Sequence, residues 1–356
     1  MTKTAVVLFN LGGPDRPEAV RPFLFNLFND PAIIGLPQPF RWLLAQLISR
    51  RRAPVAREIY EHLGGGSPLL PNTEAQAGAL EQALAAGENE AEDQTKVFIA
   101  MRYWHPMSDA TARAVRDFAP DRVLLLPLYP QFSTTTTGSS VKAWFRAARA
   151  AGLDAPTRVL CCYPRDPGFV AEVAALLARS LDQAVATGRP FRVLFSAHGL
   201  PKKIVAAGDP YQWQVEQSTA AVMAALGERG QGLDWLVCYQ SRVGPLEWIG
   251  PATEDEIRRA GAEGVGVVLV PIAFVSEHSE TLVELDIEYR ELAEEAAVPL
   301  YLRVPTVGAG EAFVKGLAGL VGRASESGSE APAPAEGRPL CPAAFGRCAC
   351  REAAGA

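Results

Sequence analysis

Val193-Leu194-Phe195-Ser196-Ala197-His198-Gly199-Leu200-Pro201 is the stretch on which the fold turns. Its opening residues are apolar or small without polar alternation, the pattern of a strand covered on both faces, and Gly199 and Pro201 mark the turn that ends it. An earlier stretch repeats the design: Val6-Val7-Leu8-Phe9-Asn10-Leu11-Gly12-Gly13-Pro14. Working outward, Val97-Phe98-Ile99-Ala100-Met101-Arg102 has its counterpart in Trp235-Leu236-Val237-Cys238-Tyr239-Gln240, and Val123-Leu124-Leu125-Leu126-Pro127 in Val267-Val268-Leu269-Val270-Pro271. Eight runs of this kind occur: Ala5–Phe9, Lys96–Ala100, Arg122–Leu126, Thr157–Leu160, Phe191–Phe195, Asp234–Cys238, Gly264–Val270 and Leu300–Val304. Turns and longer helical segments separate them. Chance likeness among apolar strands competes with this reading, but three matches in one order with matching turns favour duplication. The expectation is an α/β protein of two similar Rossmann-like domains, each a doubly wound, four-stranded parallel sheet. Ligands would sit where the carboxyl ends of both sheets face a central cleft.

The expected boundaries are 1–165 and 166–323 for the two domains, 324–337 for a flexible linker and 338–356 for a short Cys-rich tail. Ser325–Gly337 has too few apolar residues to fold alone. Ala32–Ile48 mixes Ile, Leu, Phe and Trp with Pro and precedes Ser49-Arg50-Arg51-Arg52. It reads either as an exposed lip over about 32–52, facing a membrane or a greasy ligand, or as a buried helix.

With 34 basic against 40 acidic residues, the net charge of −6 and the lack of a long basic stripe argue against a nucleic-acid partner. No apolar run approaches the roughly 18 residues of a spanning helix. Met1 to Thr4 lead directly into a strand rather than a secretory leader, so a cytoplasmic location is expected and the six cysteines read as thiols or metal ligands.

Four histidines occur, at 62, 105, 198 and 278. His198 and His278 follow predicted strands, which shifts them from the structural default toward chemistry. The segment Ser276-Glu277-His278-Ser279-Glu280-Thr281-Leu282-Val283-Glu284-Leu285-Asp286-Ile287-Glu288 reads as helical. At helical spacing Glu277, Glu280, Glu284 and Glu288 form a stripe of like charges. A solvated face is one reading; a line of groups that relays protons or holds a divalent cation, Glu280 nearest the cleft, is the other. Aromatics and Arg at other strand ends, in Arg102-Tyr103-Trp104-His105-Pro106 and around Tyr129, suit a large planar acid by stacking and guanidinium forks. The Gly-rich Gly64-Gly65-Gly66-Ser67-Pro68 lacks any nucleotide fingerprint.

Taken together, Leu8–Pro14, Leu63–Pro68, Arg102–Pro106, Tyr129–Ser140, Ser196–Pro201, Gln240–Pro245 and Pro271–Leu282 resemble the ferrochelatase family, in order, from about Thr4 to Leu320. The resemblance implies a lyase that inserts Fe²⁺ into protoporphyrin IX with release of two protons, the last step of protoheme synthesis. Carried over by position, it implies His198 and Glu280 as the metal-site pair with His278 beside them; Glu277, Glu284 and Glu288 are the candidate relay groups of the stripe. Leu11, Arg51, Arg52, Tyr60, Ser67, Arg102, Tyr129 and Trp248 fall at porphyrin-facing positions. The lip corresponds to the segment by which relatives rest on membranes, which implies peripheral contact at the inner face. The alternatives are a coproporphyrin ferrochelatase, a related cobalt chelatase, or a porphyrin or heme carrier without turnover.

Cys341, Cys348 and Cys350 stand one thiolate short of a four-sulfur site. The tail looks like the [2Fe–2S] tail of some bacterial relatives, with Cys161 or Cys162 as fourth ligand, because Glu172 stands where animal relatives keep theirs. A structural zinc or redox thiols compete with the cluster. Cys238, inside a predicted strand, reads as core.

Overall fold

A computed structural model describes residues 2–87, 94–242, 244–326, 333–334 and 340–352. The first half runs β1 (Lys3–Asn10), α1 (Val20–Phe28), α2 (Phe40–Glu61), α3 (Leu69–Gly87), β2 (Gln94–Met101), α4 (Ser108–Phe118), β3 (Arg122–Pro127), α5 (Thr137–Ala151) and β4 (Thr157–Val159). The second runs α6 (Pro167–Ala186), β5 (Phe191–His198), α7 (Lys202–Ala206), α8 (Tyr211–Ala225), β6 (Asp234–Gln240), α9 (Thr253–Ala262), β7 (Gly266–Pro271), α10 (Ser279–Leu282), α11 (Tyr289–Glu295) and β8 (Tyr301–Arg303). Then come α12 (Glu311–Glu326) and the short tail helix α13 (Ala349–Glu352). All eight expected strands form, with no boundary moved by more than three residues.

Both sheets are parallel, in the orders β2-β1-β3-β4 and β6-β5-β7-β8, so the second repeats the first strand for strand. The register repeats as well. Asn10 pairs with Met101 as Ala197 pairs with Tyr239, and Val7 with Leu125 as Leu194 with Leu269, the same positions when the two stretches are aligned. From Ala5 to Phe9 no residue is more than 1% exposed, as expected of a strand that helices cover on both faces. On one face of the first sheet Ala5, Val7, Phe9, Val123 and Leu125 close around the buried Trp144 of α5. In the second sheet Leu194, Val267 and Leu269 pack with Ile257, Leu285 and Tyr289. Leu285 and Tyr289 thereby root the acidic segment in the core.

The chain divides into two compact units, one of Met1–Cys162, Leu317–Leu340 and Cys348–Ala356, the other of Tyr163–Gly316 and Cys341–Arg347. The later part of α12 therefore belongs with the first unit rather than the second, where Arg158 and Arg122 donate to the carbonyls of Ala324 and Ser325. Two cations at a helix C-terminus satisfy orphan carbonyls and oppose the dipole.

The expected linker is corrected at its described ends. Residues 324–326 are helical. Ala333 extends the first sheet: its N–H donates to Val159 O (3.0 Å) and its carbonyl accepts from Cys161 N–H (2.9 Å). Composition says nothing about pairing with an open sheet edge, which is what holds Ala333. The linker residues 327–332 and 335–337 lie outside the described residues.

The alternatives for the lip are also separated. Residues from Phe40 onward form α2, whose Ala45, Ser49, Ala53 and Tyr60 are buried while Phe40 (65%), Leu43 (56%) and Leu47 (45%) are exposed. Only one face is buried, so the buried-helix reading does not hold. No described helix is long and apolar enough to cross a membrane.

Candidate active site

In the second unit β5, β6 and β7 lie side by side, and the chain leaves each at its carboxyl end, where a wound sheet gathers its ligands. His198 is the last residue of β5. The turn behind it is tight: a Cβ on Gly199 would stand 2.8 Å from Gln240 O and 3.2 Å from the Trp248 ring. Trp248 bridges to Pro201, so it packs on the His198 turn.

His198 Nδ1 donates to Glu280 Oε2 at 2.8 Å. His278 Nε2 lies 3.9 Å from that same oxygen, its imidazole tilted against Phe274. Glu284 takes the next position inward and accepts four hydrogen bonds. Ser241 N–H (2.8 Å) and Tyr289 O–H (3.0 Å) donate to Oε1, and Ser241 O–H (2.6 Å) and Gln240 Nε2 (3.1 Å) to Oε2. Gln240, fully buried, also donates to the Glu280 carbonyl and accepts from Ser196 O–H at 2.8 Å. That last bond fixes which end of the amide faces the carboxylates.

The electrostatics follow from this crowding. Burial works against a charge on His198, but the Glu280 carboxylate and its hydrogen bond, with Glu284 behind, raise its pKa above the ordinary 6.5. Burial would raise Glu280; the His198 charge and hydrogen bond, then His278, hold it down to about 2. Glu284 is pushed up to about 7 by burial and then by the Glu280 charge, against its donors. Burial and the His198 charge lower His278, against the pull of Glu280 and Glu277. The group therefore holds one proton between His198 and Glu280 and can hold a second on Glu284 near neutrality.

Two of the four stripe carboxylates are elsewhere. Glu277 accepts from Arg303 and from Thr306 N–H, and Glu288 is exposed. A uniform 3.6-residue period does not continue, because Glu284–Glu288 is a π turn in which Glu288 N–H reaches Val283 O. Tyr289 was not singled out in the sequence, and Gln240 and Ser241 entered only as the start of the Gln240–Pro245 motif, with no role given. Gln240 also stands at a strand end, in the position matching Arg102 in the repeat.

In the first unit Leu11 and Tyr60 come together in one apolar cluster with Tyr103 and Trp104. Arg51 and Arg52 are exposed on α2 and carry no ion pair among the described residues. Ser67 closes two glycine turns on each other: its N–H donates to Pro14 O (2.7 Å), and a Cβ on Gly13 would stand 2.5 Å from its side chain. Arg102 is spent on Asp30 (2.7 Å) and Ser139 (2.7 Å), and Tyr103 O–H donates to that aspartate too. Two of its three guanidinium nitrogens, Nε and Nη2, are therefore committed within the protein. The hydroxyl of Tyr129 is pushed up by burial.

All six cysteines are buried and none is in a disulfide. Within the first unit Cys161 Sγ lies 3.2 Å from Cys350 Sγ and 3.6 Å from Cys162 Sγ, and Cys350 is hydrogen-bonded to Cys348 as well. In the second unit Cys341 Sγ accepts from Gln214 Nε2 (3.1 Å). Sharing protons with its neighbours holds the Cys161 thiol well above its ordinary pKa. Cys238 sits in the second core. Among the described residues no three His, Cys, Asp or Glu side chains are already disposed as a ligand set; His198 and Glu280 are spent on each other, as are the thiols.

Comparison with known proteins gives a consistent picture. A family model described as Ferrochelatase matches residues 3–325. Ferrochelatases of Phenylobacterium zucineum (58% identical, 98% of each chain), Caulobacter vibrioides (56%, 99% of each) and Pelagibacter ubique (48%, 98% of each) align over nearly their whole lengths. Among solved structures, SirB from Bacillus subtilis with Fe³⁺ covers 92% of this chain and 96% of its own at a TM-score of 0.51 and 12% identity, a likeness of fold.

Proposed function

The chain belongs to the ferrochelatase family, and from that premise we propose how its residues carry the reaction. It is a lyase of heme biosynthesis that inserts ferrous iron into a porphyrin. One Fe²⁺ enters the ring as two pyrrole N–H protons leave. The observation that carries the assignment is the His198–Glu280 pair at the end of β5, with Glu284 behind it. Iron drawn to the Glu280 carboxylate removes the charge that holds the His198 proton. His198 then releases that proton to solvent, its side chain being 43% exposed, and, as neutral imidazole, accepts one from a pyrrole. Glu284, pushed up to about 7, accepts the other. Ser241 N–H and Gln240 Nε2 keep it oriented, and the Ser241 or Tyr289 hydroxyl can turn from donor to acceptor when it takes the proton. His278, kept neutral by burial, is an adjacent nitrogen donor for the substrate iron.

Protoporphyrin IX is the proposed ring, on the support of the exposed apolar face of α2 and the cysteine tail. Arg51 and Arg52 are proposed to meet propionates, and Leu11, Tyr60, Tyr129 and Trp248 to face the ring. A cytoplasmic location, with α2 resting on the inner face of a membrane, belongs to the same proposal, supported by the exposed Phe40, Leu43 and Leu47.

A [2Fe–2S] cluster is proposed on the tail cysteines Cys341, Cys348 and Cys350, with Cys161 or Cys162 as the fourth ligand. The thiol group fits the soft donors such a cluster takes. Its Cys161–Cys350 separation of 3.2 Å brings two such donors together. When bound, the cluster would supply a redox-active or structural iron centre that keeps these thiols deprotonated.

The test is anaerobic metalation with Fe²⁺ of protoporphyrin and of coproporphyrin in parallel. Turnover with the first and little with the second supports the reading. Preference for coproporphyrin moves the substrate, and tight ring binding without metalation makes the protein a carrier.

A further inference from the structure

Arg303, the last residue of β8, is nearly buried, its side chain 10% exposed. Its guanidinium is shared between two carboxylates that bracket the active segment. Nη1 donates to Glu277 Oε1 at 2.5 Å, Nε donates to Asp286 Oδ1 at 2.8 Å, and Nη2 donates to Asp286 Oδ2. Glu277 immediately precedes His278, and Asp286 follows Glu284 by two residues. One rigid cation thus closes a loop around His278, Glu280 and Glu284.

Two physical consequences follow. First, the segment between the clamps contains the short α10 and the π turn, whose local hydrogen bonding alone constrains it weakly. A bidentate fork on one end and a single short bond on the other fix the span in a way a point charge would not. Second, Glu277, Glu280, Glu284 and Asp286 crowd four carboxylates into ten residues. Any of them would attract a divalent cation, and Arg303 occupies the two that lie off the His198 side.

We propose that Arg303 is the positioning residue of the metal-inserting segment: it sets the span that holds His278, Glu280 and Glu284 in register and keeps Glu277 and Asp286 off the incoming divalent cation. This rests on the assignment of iron insertion to His198 and Glu280.

Two variants test it in the full chain. Arg303→Lys keeps the charge and loses the fork. The triple variant Glu277→Gln, Asp286→Asn, Arg303→Gln removes all three charges and leaves no buried carboxylate uncompensated. Misplacing reacting groups by about an ångström costs up to roughly a hundredfold, so kcat should fall roughly tenfold to a hundredfold in both, with porphyrin KM within about twofold. The urea midpoint of each is measured beside its kinetics. Mn²⁺ binding to the porphyrin-free protein separates the two halves of the proposal. It should tighten in Arg303→Lys, where two carboxylates are less firmly held, and stay as in the wild type in the triple variant. Wild-type kcat in either variant, or losses that scale with stability alone, would overturn the proposal. If Glu280→Gln with Arg303 intact also turned over normally, the underlying site assignment would fail. If that variant were inactive while Arg303→Lys was fully active, only the positioning role would.

Discussion

Glu284 makes a thermodynamic prediction as well as a kinetic one. Its pKa moves from the ordinary 4.5 to about 7, and each unit is worth about 1.4 kcal/mol. The native state therefore binds a proton at Glu284 more tightly than the unfolded state does. Between these two values the folded protein carries the extra proton, so stability falls as pH rises through the window. The shift corresponds to about 3 kcal/mol in all, present below pH 4.5 and lost above pH 7. Glu284→Gln removes the titration. It also sets an amide N–H₂ against either Gln240 Nε2 or Ser241 N–H, leaving one donor unmatched at about 1–3 kcal/mol, a cost that does not vary with pH. The assay is urea unfolding of both proteins at half-unit steps from pH 5 to pH 8. The wild-type advantage should shrink by about 2–3 kcal/mol across that range, and an apparent pKa near 7 in the wild-type pH–rate profile should vanish in the variant. Parallel stability curves would refute the claim that Glu284 is a buried, proton-storing carboxylate and would return it to a solvated helix face.

Arg51→Ala and Arg52→Ala should raise porphyrin KM with kcat within about twofold, since exposed, unpaired guanidinium groups on a propionate act equally in ground and transition states; reduced kcat at unchanged KM would exclude that role. Gly12→Ala should destabilise the protein by about 1–3 kcal/mol in urea, because Gly12 has φ +83° and a Cβ there would lie 2.9 Å from Trp104 N; an unchanged midpoint would contradict the strain argument. Cys348→Ser should abolish iron and acid-labile sulfide together, whereas Cys238→Ser in the second core should keep both. Comparing Cys161→Ser with Cys162→Ser then identifies the fourth ligand, and zinc in place of iron and sulfide would disprove the cluster.

The sheets were legible because their strands are buried on both faces, which leaves short apolar runs such as Val6–Phe9 and Val193–Phe195 bounded by Gly and Pro, and because the turn residues repeat with them. His198 was readable from its place after such a run. The acidic segment was read only in part. A uniform helical period put Glu277 and Glu288 in line with Glu280. The actual arrangement depends on a π turn and on Arg303, 26 residues from Glu277 in sequence, and no local pattern reports either. The partners of Arg102 were unreadable for a similar reason. Beside Tyr103 and Trp104 it looks like a ligand group, but its partner Asp30 lies 72 residues away. Ala333 shows the converse, a residue in a linker-like composition held by backbone pairing alone.

The central claim is that His198 and Glu280 insert the metal. Single-turnover metalation of bound protoporphyrin by Fe²⁺ under anaerobic conditions tests it most directly, comparing wild type, His198→Ala and Glu280→Gln, with porphyrin binding followed separately by fluorescence quenching. Both variants should bind the ring with near wild-type affinity and metalate it at least about a hundredfold more slowly. A folded variant of either kind that binds porphyrin and metalates it at close to the wild-type rate would contradict the account.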